Sequence, residues 1–412
     1  MREMKDSGTV WLGIIPANWD IARIGSFYRL RNTKVSDTDY PPLSVTNKGI
    51  VPQLETAAKT NAHDDRKLVK KGDFAINSRS DRRGSCGIAP CDGSVSLINT
   101  ILSPMGEMNP RYYDWLFHTI EFGDEFYKCG HGIVDDLWTT GWQDMKKILI
   151  PYPSLAEQEK IAIFLDSHCS EIDAISADIQ KEIETLEQYK RSVITEAVTK
   201  GLNPDAEMKD SGAEWIGEVP TNWDLGRIGG FYSLRNEKVS DKDYPPLSVT
   251  MKGVLPQLET EAKTNDGDNR KLVRKGDFAI NSRSDRRGSC GISKYDGSVS
   301  LINTVLTPRG KMSAAYYDWV FHCTRFSDEF YRQGHGIVDD LWTTGWQEMK
   351  KIIIPVPPLP EQNRIADYLS SKCSDVDFII SQKNQQVETL ANYKKTLIYE
   401  YVTGKKEVPV QN

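Results

Sequence analysis

The chain is an internal duplication. Met4 corresponds to Met208 and Trp19 to Trp223, 204 positions later in each case, and the two copies align without any insertion. The segment 71–88 returns unchanged as 275–292, and 130–143 returns unchanged as 334–347. This unit is far longer than the ~20–50 residues of a solenoid repeat, so each copy is predicted to be a domain with its own connector. A surface presented twice predicts a target that itself has a two-fold axis.

The composition is that of a globular protein with room for two domains. The 412 residues are 39% hydrophobic and 27% charged, and no apolar run approaches the ~20 residues of a membrane span. The first eight residues have no apolar stretch typical of an export signal. The seven cysteines lack Cys-x-x-Cys spacing, which predicts reduced thiols and no metal site. We therefore expect a cytoplasmic protein without membrane association.

The net charge of −6 hides opposite local charges. Residues 66–83 carry seven basic and two acidic side chains, and 270–287 repeat that balance. Residues 155–200 instead carry ten acidic and five basic side chains. Because the net charge of the chain sums basic and acidic segments, its negative value does not exclude a nucleic-acid partner for the two basic segments.

Residues 20–150 are predicted to form a mixed α/β domain. Short β-rich runs at 42–45, 74–76 and 94–98 are separated by Gly, Asp and Pro. In 112–126 the aromatic and aliphatic residues recur at helical spacing, which predicts one buried helix. The β-rich run 147–150 then ends at Pro151 and Pro153.

A long helix is predicted to follow each domain. Ser154 stands three residues before Glu157, a capping-box spacing, and the next Gly is Gly201, which predicts a helix of about 45 residues. Apolar residues recur at every seventh position, as in a coiled coil, with Lys383 as the one polar replacement. These stripe residues are Leu165, Ile172, Ile179, Leu186 and Val193 in the first copy and Leu369, Val376, Leu390 and Leu397 in the second. Residues that widen the stripe are Ile175, Ile183 and Tyr189. We predict that the helices pair with each other; the alternative is that each packs on its own domain.

The duplication also predicts the direction of the helices. The segment 208–223 follows the first helix, whereas its twin, 4–19, opens the chain. If the copies are structurally equivalent, the second helix ends beside the N-terminus. The predicted fold is therefore mixed α/β (α+β), with two globular domains separated by a long antiparallel two-helix coiled coil, pseudo-two-fold and pseudo-circular. The predicted divisions are domains at 1–153 and 202–357, helices at 154–201 and 358–404, and a tail at 405–412.

Two motifs, each present twice, carry a family resemblance. One reads W-x-G-x-x-P-x-x-W at 11–19 and 215–223, and the other reads P-x-P-x-L-x-E-Q at 151–158 and 355–362. With the alternation of domains and helices, they make the whole chain resemble the DNA-specificity (S) subunit of a type I restriction-modification system. The resemblance implies two target-recognition domains that each read half of a bipartite double-stranded DNA site. Family members usually carry two unlike domains, whereas these are nearly identical, which predicts an inverted-repeat site.

The resemblance also implies partners that carry all the chemistry. The helices would set the spacing and dock two methyltransferase (M) subunits, which bind S-adenosylmethionine, and restriction (R) subunits with ATP and Mg²⁺ would join through the methyltransferase core. The chain itself is expected to be non-catalytic, without cofactor or metal, because its sequence has no methyl-donor, methyltransferase or nucleotide-binding loop motif. The alternative is a stand-alone repressor or antitoxin-like binder. A self-contained nuclease or methyltransferase is disfavoured by the missing motifs.

The predicted DNA contacts centre on the segment 79–84, R-S-D-R-R-G. Guanidinium groups bind phosphates or pair with guanine, and Asn and Ser add short donors at a turn that Gly84 lets approach the duplex. The predicted set is Lys67, Lys70, Lys71, Asn77, Ser78, Arg79, Ser80, Arg82 and Arg83, with Lys271, Arg274, Lys275, Asn281, Ser282, Arg283, Ser284, Arg286 and Arg287. The alternative is a solvated loop in which Asp81 merely neutralises an arginine.

The loop 130–142 is predicted to be a rigid glycine loop that faces the DNA or the helices. The alternative is a metal or acid–base set of His131, Asp135 and Asp136, although adjacent carboxylates point to different sides of an extended chain. Tyr112, Tyr113 and Trp115 are predicted to be core residues rather than base-stacking platforms.

A few differences between the copies are candidates for breaking the symmetry. They are Asn47 against Met251, His63 against Gly267, and 89–91 against 293–295. All lie outside the identical block 71–88 to which we assign DNA readout.

Overall fold

The computed structural model describes residues 2–53, 65–132, 138–257, 267–336 and 342–409. The chain forms two compact units, Met1–Gln180 with Gln385–Asn412, and Lys181–Asn384. Each unit contains one strand-rich domain and one part of each long helix. The mixed α/β fold is confirmed. The compact units divide both helices near their middle, whereas the divisions drawn from the sequence kept each helix whole.

The two copies have the same order of elements. The first contains β1 (Met4–Asp6), β2 (Ile14–Pro16), β3 (Asp20–Arg23), β4 (Tyr28–Arg31), β5 (Lys34–Val35), β6 (Leu43–Thr46), β7 (Gly49–Pro52), β8 (Arg66–Val69), β9 (Phe74–Asn77), β10 (Cys86–Ile88), β11 (Gly93–Val95), β12 (Asn99–Pro104), α1 (Pro110–Phe117), α2 (Ile120–Lys128), α3 (Trp142–Met145), β13 (Leu149–Tyr152) and α4 (Leu155–Lys200). The second contains β14 (Met208–Asp210), β15 (Glu218–Pro220), β16 (Asp224–Arg227), α5 (Ile228–Phe231), β17 (Tyr232–Arg235), β18 (Lys238–Val239), β19 (Leu247–Thr250), β20 (Gly253–Pro256), β21 (Arg270–Val273), β22 (Phe278–Asn281), β23 (Cys290–Ile292), β24 (Gly297–Val299), β25 (Asn303–Pro308), α6 (Ala314–His322), α7 (Thr324–Arg332), α8 (Trp346–Met349), β26 (Ile353–Val356) and α9 (Leu359–Val402).

The main sheet of the first domain is buried on both faces. Its order is β10-β9-β12-β4, with antiparallel neighbours. Phe74 and Ile76 of β9 belong to a large core with α1 and α2, whereas Ala75 belongs to a small core with Val69 and Val95. Successive side chains of a strand point to opposite faces, which explains this division. The second domain repeats the sheet as β17-β25-β22-β23.

Residues 112–126 lie in two helices rather than the single helix predicted. α1 ends at Phe117, and α2 begins after Thr119, whose hydroxyl accepts a hydrogen bond from the Phe122 amide at 3.3 Å. A threonine at this position starts a new helix because it satisfies an amide that has no partner within the helix. Tyr112 and Tyr113 are fully buried, which confirms them as core residues. Trp115 is half-buried against that core, and its indole donates to the Asp166 carboxylate at 2.8 Å.

The two repeated motifs meet at the start of α4. The Trp19 indole donates a hydrogen bond to the Glu157 carboxylate at 2.8 Å, and the Glu157 amide donates to the Ser154 carbonyl at 2.9 Å. The glutamate of the predicted capping box thus binds a tryptophan of the N-terminal motif. Gly201, with a φ of 76°, follows the last residue of α4, as expected of a helix C-terminus.

The long helices pair in antiparallel direction in the first unit. Phe164 stacks on Tyr401 with ring centroids 4.4 Å apart, and Lys394 donates to Asp173 at 2.6 Å. Residues later in α4 therefore contact residues earlier in α9, so the two helices run antiparallel, as predicted.

The second unit pairs its parts of the helices in the same direction. Lys190 donates to Asp377 at 2.6 Å, in an ion pair equivalent to the one in the first unit. Lys383, the polar replacement on the stripe, binds Glu182 of α4. A lysine at a stripe position is thus accommodated by a carboxylate on the facing helix.

The apolar stripe residues are buried near the N-terminus of each helix and near the C-terminus of α9, and half-buried elsewhere. The buried stripe residues are Leu165, Ile172, Leu369, Val376 and Leu397, and the half-buried ones are Ile179, Leu186, Val193 and Leu390. Leu165 and Leu369 belong to the domain cores, so the N-terminal part of each helix packs on its own domain, as the alternative proposed, whereas the C-terminal ends of α4 and α9 belong to the core of the other domain. Ile183 is buried, but Ile175 and Tyr189 are exposed, and the prediction that they widen the stripe was wrong.

The end of α9 lies against the N-terminal segment in the first unit. Tyr399 donates to the Trp11 carbonyl at 2.8 Å, and Tyr112 donates to the Val402 carbonyl at 2.6 Å. In the second unit Tyr316, the twin of Tyr112, donates to the end of α4 at 3.0 Å. The pseudo-circular arrangement is confirmed by these contacts within each unit.

Candidate nucleic-acid interface

The arginine loop, residues 79–84, follows β9 through a turn fixed by one side-chain and one backbone hydrogen bond. The Asn77 side-chain oxygen accepts a hydrogen bond from the Arg79 amide at 3.1 Å, and the Ser85 amide donates to the Arg82 carbonyl at 3.1 Å. Gly84 has a φ of 74°, a left-handed conformation that favours glycine. The second arginine loop, residues 283–288, has the same Asn–amide bond at 3.1 Å.

The three arginines of the loop differ in how firmly they are held. Arg83 binds Asp124 at 2.6 Å and lies 5.4 Å from the centre of the Tyr127 ring. Arg79 lies 3.2 Å from Asp81, and Arg82 lies 3.7 Å from the same carboxylate with 68% of its side chain exposed. Asp81 therefore does neutralise part of the loop, as the alternative stated. Ion pairs this exposed are worth only about 0–1 kcal/mol, so a phosphate can replace the carboxylate at little cost.

Two residues of the first domain that were predicted to contact DNA instead make hydrogen bonds within the domain. Asn77 is buried and supports the turn described above, and the Ser78 hydroxyl lies 2.9 Å from the Thr100 hydroxyl. Their twins behave alike: Asn281 is buried, and the Ser282 hydroxyl lies 2.9 Å from Thr304.

Lys67 lines an open groove together with Arg79, whereas Lys70 and Lys71 lie elsewhere. The Lys67 ammonium donates to the Asn99 carbonyl at 2.7 Å, and burial lowers its pKa. Lys70 and Lys71 lie in the turn before β9, where their amides bind Asp73 and Asp92, whereas the arginine loop follows the other end of β9. The assumption that these two lysines reinforce the arginine loop was wrong.

Arg66, counted in the basic balance of the segment, lines an open groove with Arg82 and Arg83, but its guanidinium already has partners within the domain. It is buried, its guanidinium donates to the Ser94 hydroxyl at 2.9 Å, and burial lowers its pKa. In the second domain Lys271 donates to the Asn303 carbonyl at 2.7 Å, as its twin does. Arg274 lies before β22 and stacks over Tyr244 at 5.3 Å. Lys275 occupies the same turn.

The described residues of the loop 130–142 support the arginine loop. Thr139 forms isolated β-bridges with Arg79 and His131, and the Ser80 amide donates to the Trp138 carbonyl at 3.0 Å. A Cβ atom on Gly130 would lie 2.6 Å from the Trp138 indole nitrogen, which explains the need for glycine. In the second domain the Ser284 amide makes the same bond at 2.9 Å.

The acid–base alternative for this loop has no support in the described residues. His131 is exposed and lies 3.4 Å from Asp144. Asp135 and Asp136 lie outside the described residues. Among the residues that are described, no group of three or more His, Cys, Asp and Glu side chains could hold a metal ion.

The structure adds a hairpin and a turn that the charge pattern did not indicate. An open groove of about 630 Å³ beside the arginine loop is lined by Asn47, Arg82, Arg83 and Ile98, among others. Asn47 lies at the tip of the β6–β7 hairpin, and Ile98 lies in the exposed turn before β12. The Asn-Lys-Gly sequence at 47–49 signals the hairpin, but nothing in the sequence places it next to 82–83.

No helix among the described residues is both long enough and apolar enough to cross a membrane.

Comparison with known proteins identifies the family. The family described as type I restriction modification DNA specificity domain matches residues 138–185 and 220–389, more than half of the chain. The putative type I restriction enzyme MjaX specificity subunit of Methanocaldococcus jannaschii is 26% identical over 279 residues, which are 64% of this chain and 60% of that protein. The MjaVIII specificity subunit of the same organism is 25% identical over 54% of this chain and 51% of that protein. The chain thus spans about half to three fifths of the length of these relatives.

Solved structures share the fold. A chain from a type I R-M system has a TM-score of 0.72 at 14% identity, covering 94% of this chain and 98% of that one. The HsdS subunit from Thermoanaerobacter tengcongensis has a TM-score of 0.54 at 16% identity, covering 95% of this chain and 98% of that one. By its family match, its motifs and its two domains with paired long helices, the chain belongs to the type I restriction-modification DNA specificity family.

Proposed function

We propose that this chain is the DNA-recognition subunit of a type I restriction-modification complex. The observation that carries the proposal is the pair of identical arginine loops, each fixed by the same turn, the second of which lies within the residues matched by the family. Arg82 and its twin Arg286 expose 68% and 69% of their side chains. A guanidinium presented in this way can bind a phosphate or the edge of a guanine.

Each domain is proposed to read one half of a bipartite double-stranded site. Because 71–88 and 275–292 are identical, the two arginine loops present the same groups to DNA. The two strands of a duplex present the same bases when a half-site is followed by its reverse complement. The expected target is therefore an inverted repeat interrupted by base pairs that are not read.

The paired helices are proposed to set the half-site spacing and to bind two methyltransferase subunits. In the first unit Ile175 and Tyr393 are exposed on them, and in the second unit Tyr189, Phe378 and Ile379 are exposed. Exposed aromatic and aliphatic side chains gathered on one surface mark protein interfaces. Since each unit carries such residues next to its own copy of the Lys–Asp ion pair between the helices, we propose one copy of this chain to two methyltransferase subunits.

The chemistry is proposed to lie on the partners. Methyl transfer would use S-adenosylmethionine on the methyltransferase, and cleavage would use ATP and Mg²⁺ on restriction subunits that join through the methyltransferases. In this chain the buried cysteines Cys86 and Cys290 are poor nucleophiles because burial raises the pKa of both thiols well above the ordinary value.

The test is purification of the full chain from cells that express the neighbouring genes, followed by selection of bound duplexes from a random pool. We expect a methyltransferase to co-purify at two copies per chain and a bipartite motif to be enriched. Enrichment of a motif at full affinity by the chain alone would instead indicate a stand-alone repressor or antitoxin-like protein. No enrichment by the complex would refute DNA recognition.

A further inference from the structure

We propose that residue 47 and its counterpart 251 make the two half-sites differ at one base pair. The inference rests on the proposed function, because it concerns which bases the two domains read. Asn47 lines the groove beside Arg82 and Arg83 in the first domain. Its counterpart Met251 is 72% exposed in the second domain.

The two side chains stand on the same rigid support. In the first hairpin the Thr46 hydroxyl donates to the Gly49 carbonyl at 2.9 Å, and in the second Thr250 donates to Gly253 at the same 2.9 Å. A Cβ atom on Gly87 would lie 2.9 Å from the Gly49 Cα atom, so the first hairpin packs directly on β10. The second hairpin packs equally closely, at 2.7 Å. Each hairpin is therefore held against its sheet by close backbone packing.

Both tips lie beside the arginine loops. In the first domain Asn47 and the guanidinium groups of 82 and 83 line one groove. In the second domain the terminal methyl group of Met251 lies 4.0 Å from a Cβ atom built on Gly288, the residue that follows Arg287. A duplex held by an arginine loop therefore meets the hairpin tip of the same domain.

The two tips have different chemistry towards a base. An asparagine amide both donates and accepts, and it pairs bidentately with adenine N6 and N7 in the major groove. A methionine thioether donates no hydrogen bond and packs against an apolar group such as the thymine methyl. The first domain should therefore prefer adenine at a position where the second prefers a base with an apolar edge. The expected discrimination is on the order of 10- to 100-fold at that position.

Of the other differences named above, the one at 89–91 and 293–295 does not fit this role. Residues 89–91 and 293–295 lie by the turn before β9 and β22: the Gly72 amide donates to the Ala89 carbonyl and the Gly276 amide to the Ser293 carbonyl, both at 2.9 Å. That is the end of the strand opposite the arginine loop. His63 lies outside the described residues.

The test exchanges the two tips in the full chain, purified with any methyltransferase that accompanies it. The variants are Asn47→Met, Met251→Asn and the double exchange, and the control is Cys91→Tyr, which copies the second domain at the far end of β9. Each is tolerated by the fold because its twin hairpin or turn already carries the new residue. Bound duplexes are selected from a random pool and sequenced.

The outcomes are distinct. We expect each single exchange to make the two half-sites identical, and the double exchange to restore the original motif, because swapping the halves of an inverted repeat gives the same duplex on the other strand. The control should select the original motif. If all variants select the original motif, the inference is overturned while DNA recognition stands. If the single exchanges alter the motif and the double exchange does not restore it, the inference is also overturned. If the unaltered complex selects no motif, the proposed function itself fails.

Discussion

Removal of the most exposed guanidinium from each arginine loop tests the assignment of that loop to DNA. Arg82→Ala with Arg286→Ala should leave the fold nearly unchanged, because the side chains are 68% and 69% exposed and lie 3.7 and 3.9 Å from their carboxylate partners. Pairs of this kind contribute about 0–1 kcal/mol. For a unit of this size that is at most about 2–4 °C in Tm.

The expected effect on binding is larger and depends on the contact. If both arginines bind phosphates, the slope of log K against log salt should fall by about 1.8, at about 0.9 per phosphate, for all sequences alike. If they bind guanine edges, the loss should be about 1–3 kcal/mol per half-site, with relaxed preference at one position. Fluorescence anisotropy of the assembled complex on labelled duplexes, from about 50 to 200 mM salt, distinguishes the two.

The matched control is Lys71→Ala with Lys275→Ala, which removes the same number of charges at the opposite end of β9 and β22. This control should change affinity much less than the arginine variant. Equal losses in both variants, or unchanged affinity and salt slope in the arginine variant, would refute the assignment.

Three further predictions concern the scaffold. Gly130→Ala should destabilise the fold by about 1–3 kcal/mol, because its Cβ would lie 2.6 Å from the Trp138 indole; an unchanged Tm would contradict this packing. Leu165→Ala should cost about 2–5 kcal/mol and Lys394→Ala about 0–1 kcal/mol in denaturant unfolding, and a reversed order would mean that ion pairs rather than buried apolar contacts stabilise the first unit. Burial raises the pKa of Asp114, so its contribution to stability is present below the pKa of an unfolded aspartate and is lost as pH rises through the raised folded value; Asp114→Asn should flatten that part of the stability profile, and parallel profiles would disprove it.

The sequence predicts the framework well because the framework depends on local signals. The breaks at Ser154 and Gly201 mark α4, and the spacing of Leu165 and its stripe marks the paired face. The duplication, read together with connectivity, predicts the contact between the end of α9 and the N-terminal segment. None of these inferences requires knowledge of a side-chain partner.

The candidate site is predicted less well because it depends on which end and which face of a strand each residue occupies and on how separate strands pack together. Lys71 and Arg79 are close in sequence, but the four-residue strand β9 between them advances about 13 Å and separates their charges. Arg66 precedes Lys67 directly, yet one is buried and the other half-buried because they point to opposite faces of β8. Asn47 joins the arginine loop only through the packing of a hairpin on β10.

The most direct test of the account is to map methylated bases in the genome of cells that express this chain with its methyltransferase, against cells that lack the chain. The account predicts modification at one bipartite motif whose halves are reverse complements wherever the arginine loops read them, and differ at most at the position assigned to residues 47 and 251. Methylation at two unrelated half-sites, or a methylation pattern unchanged by loss of the chain, would contradict it.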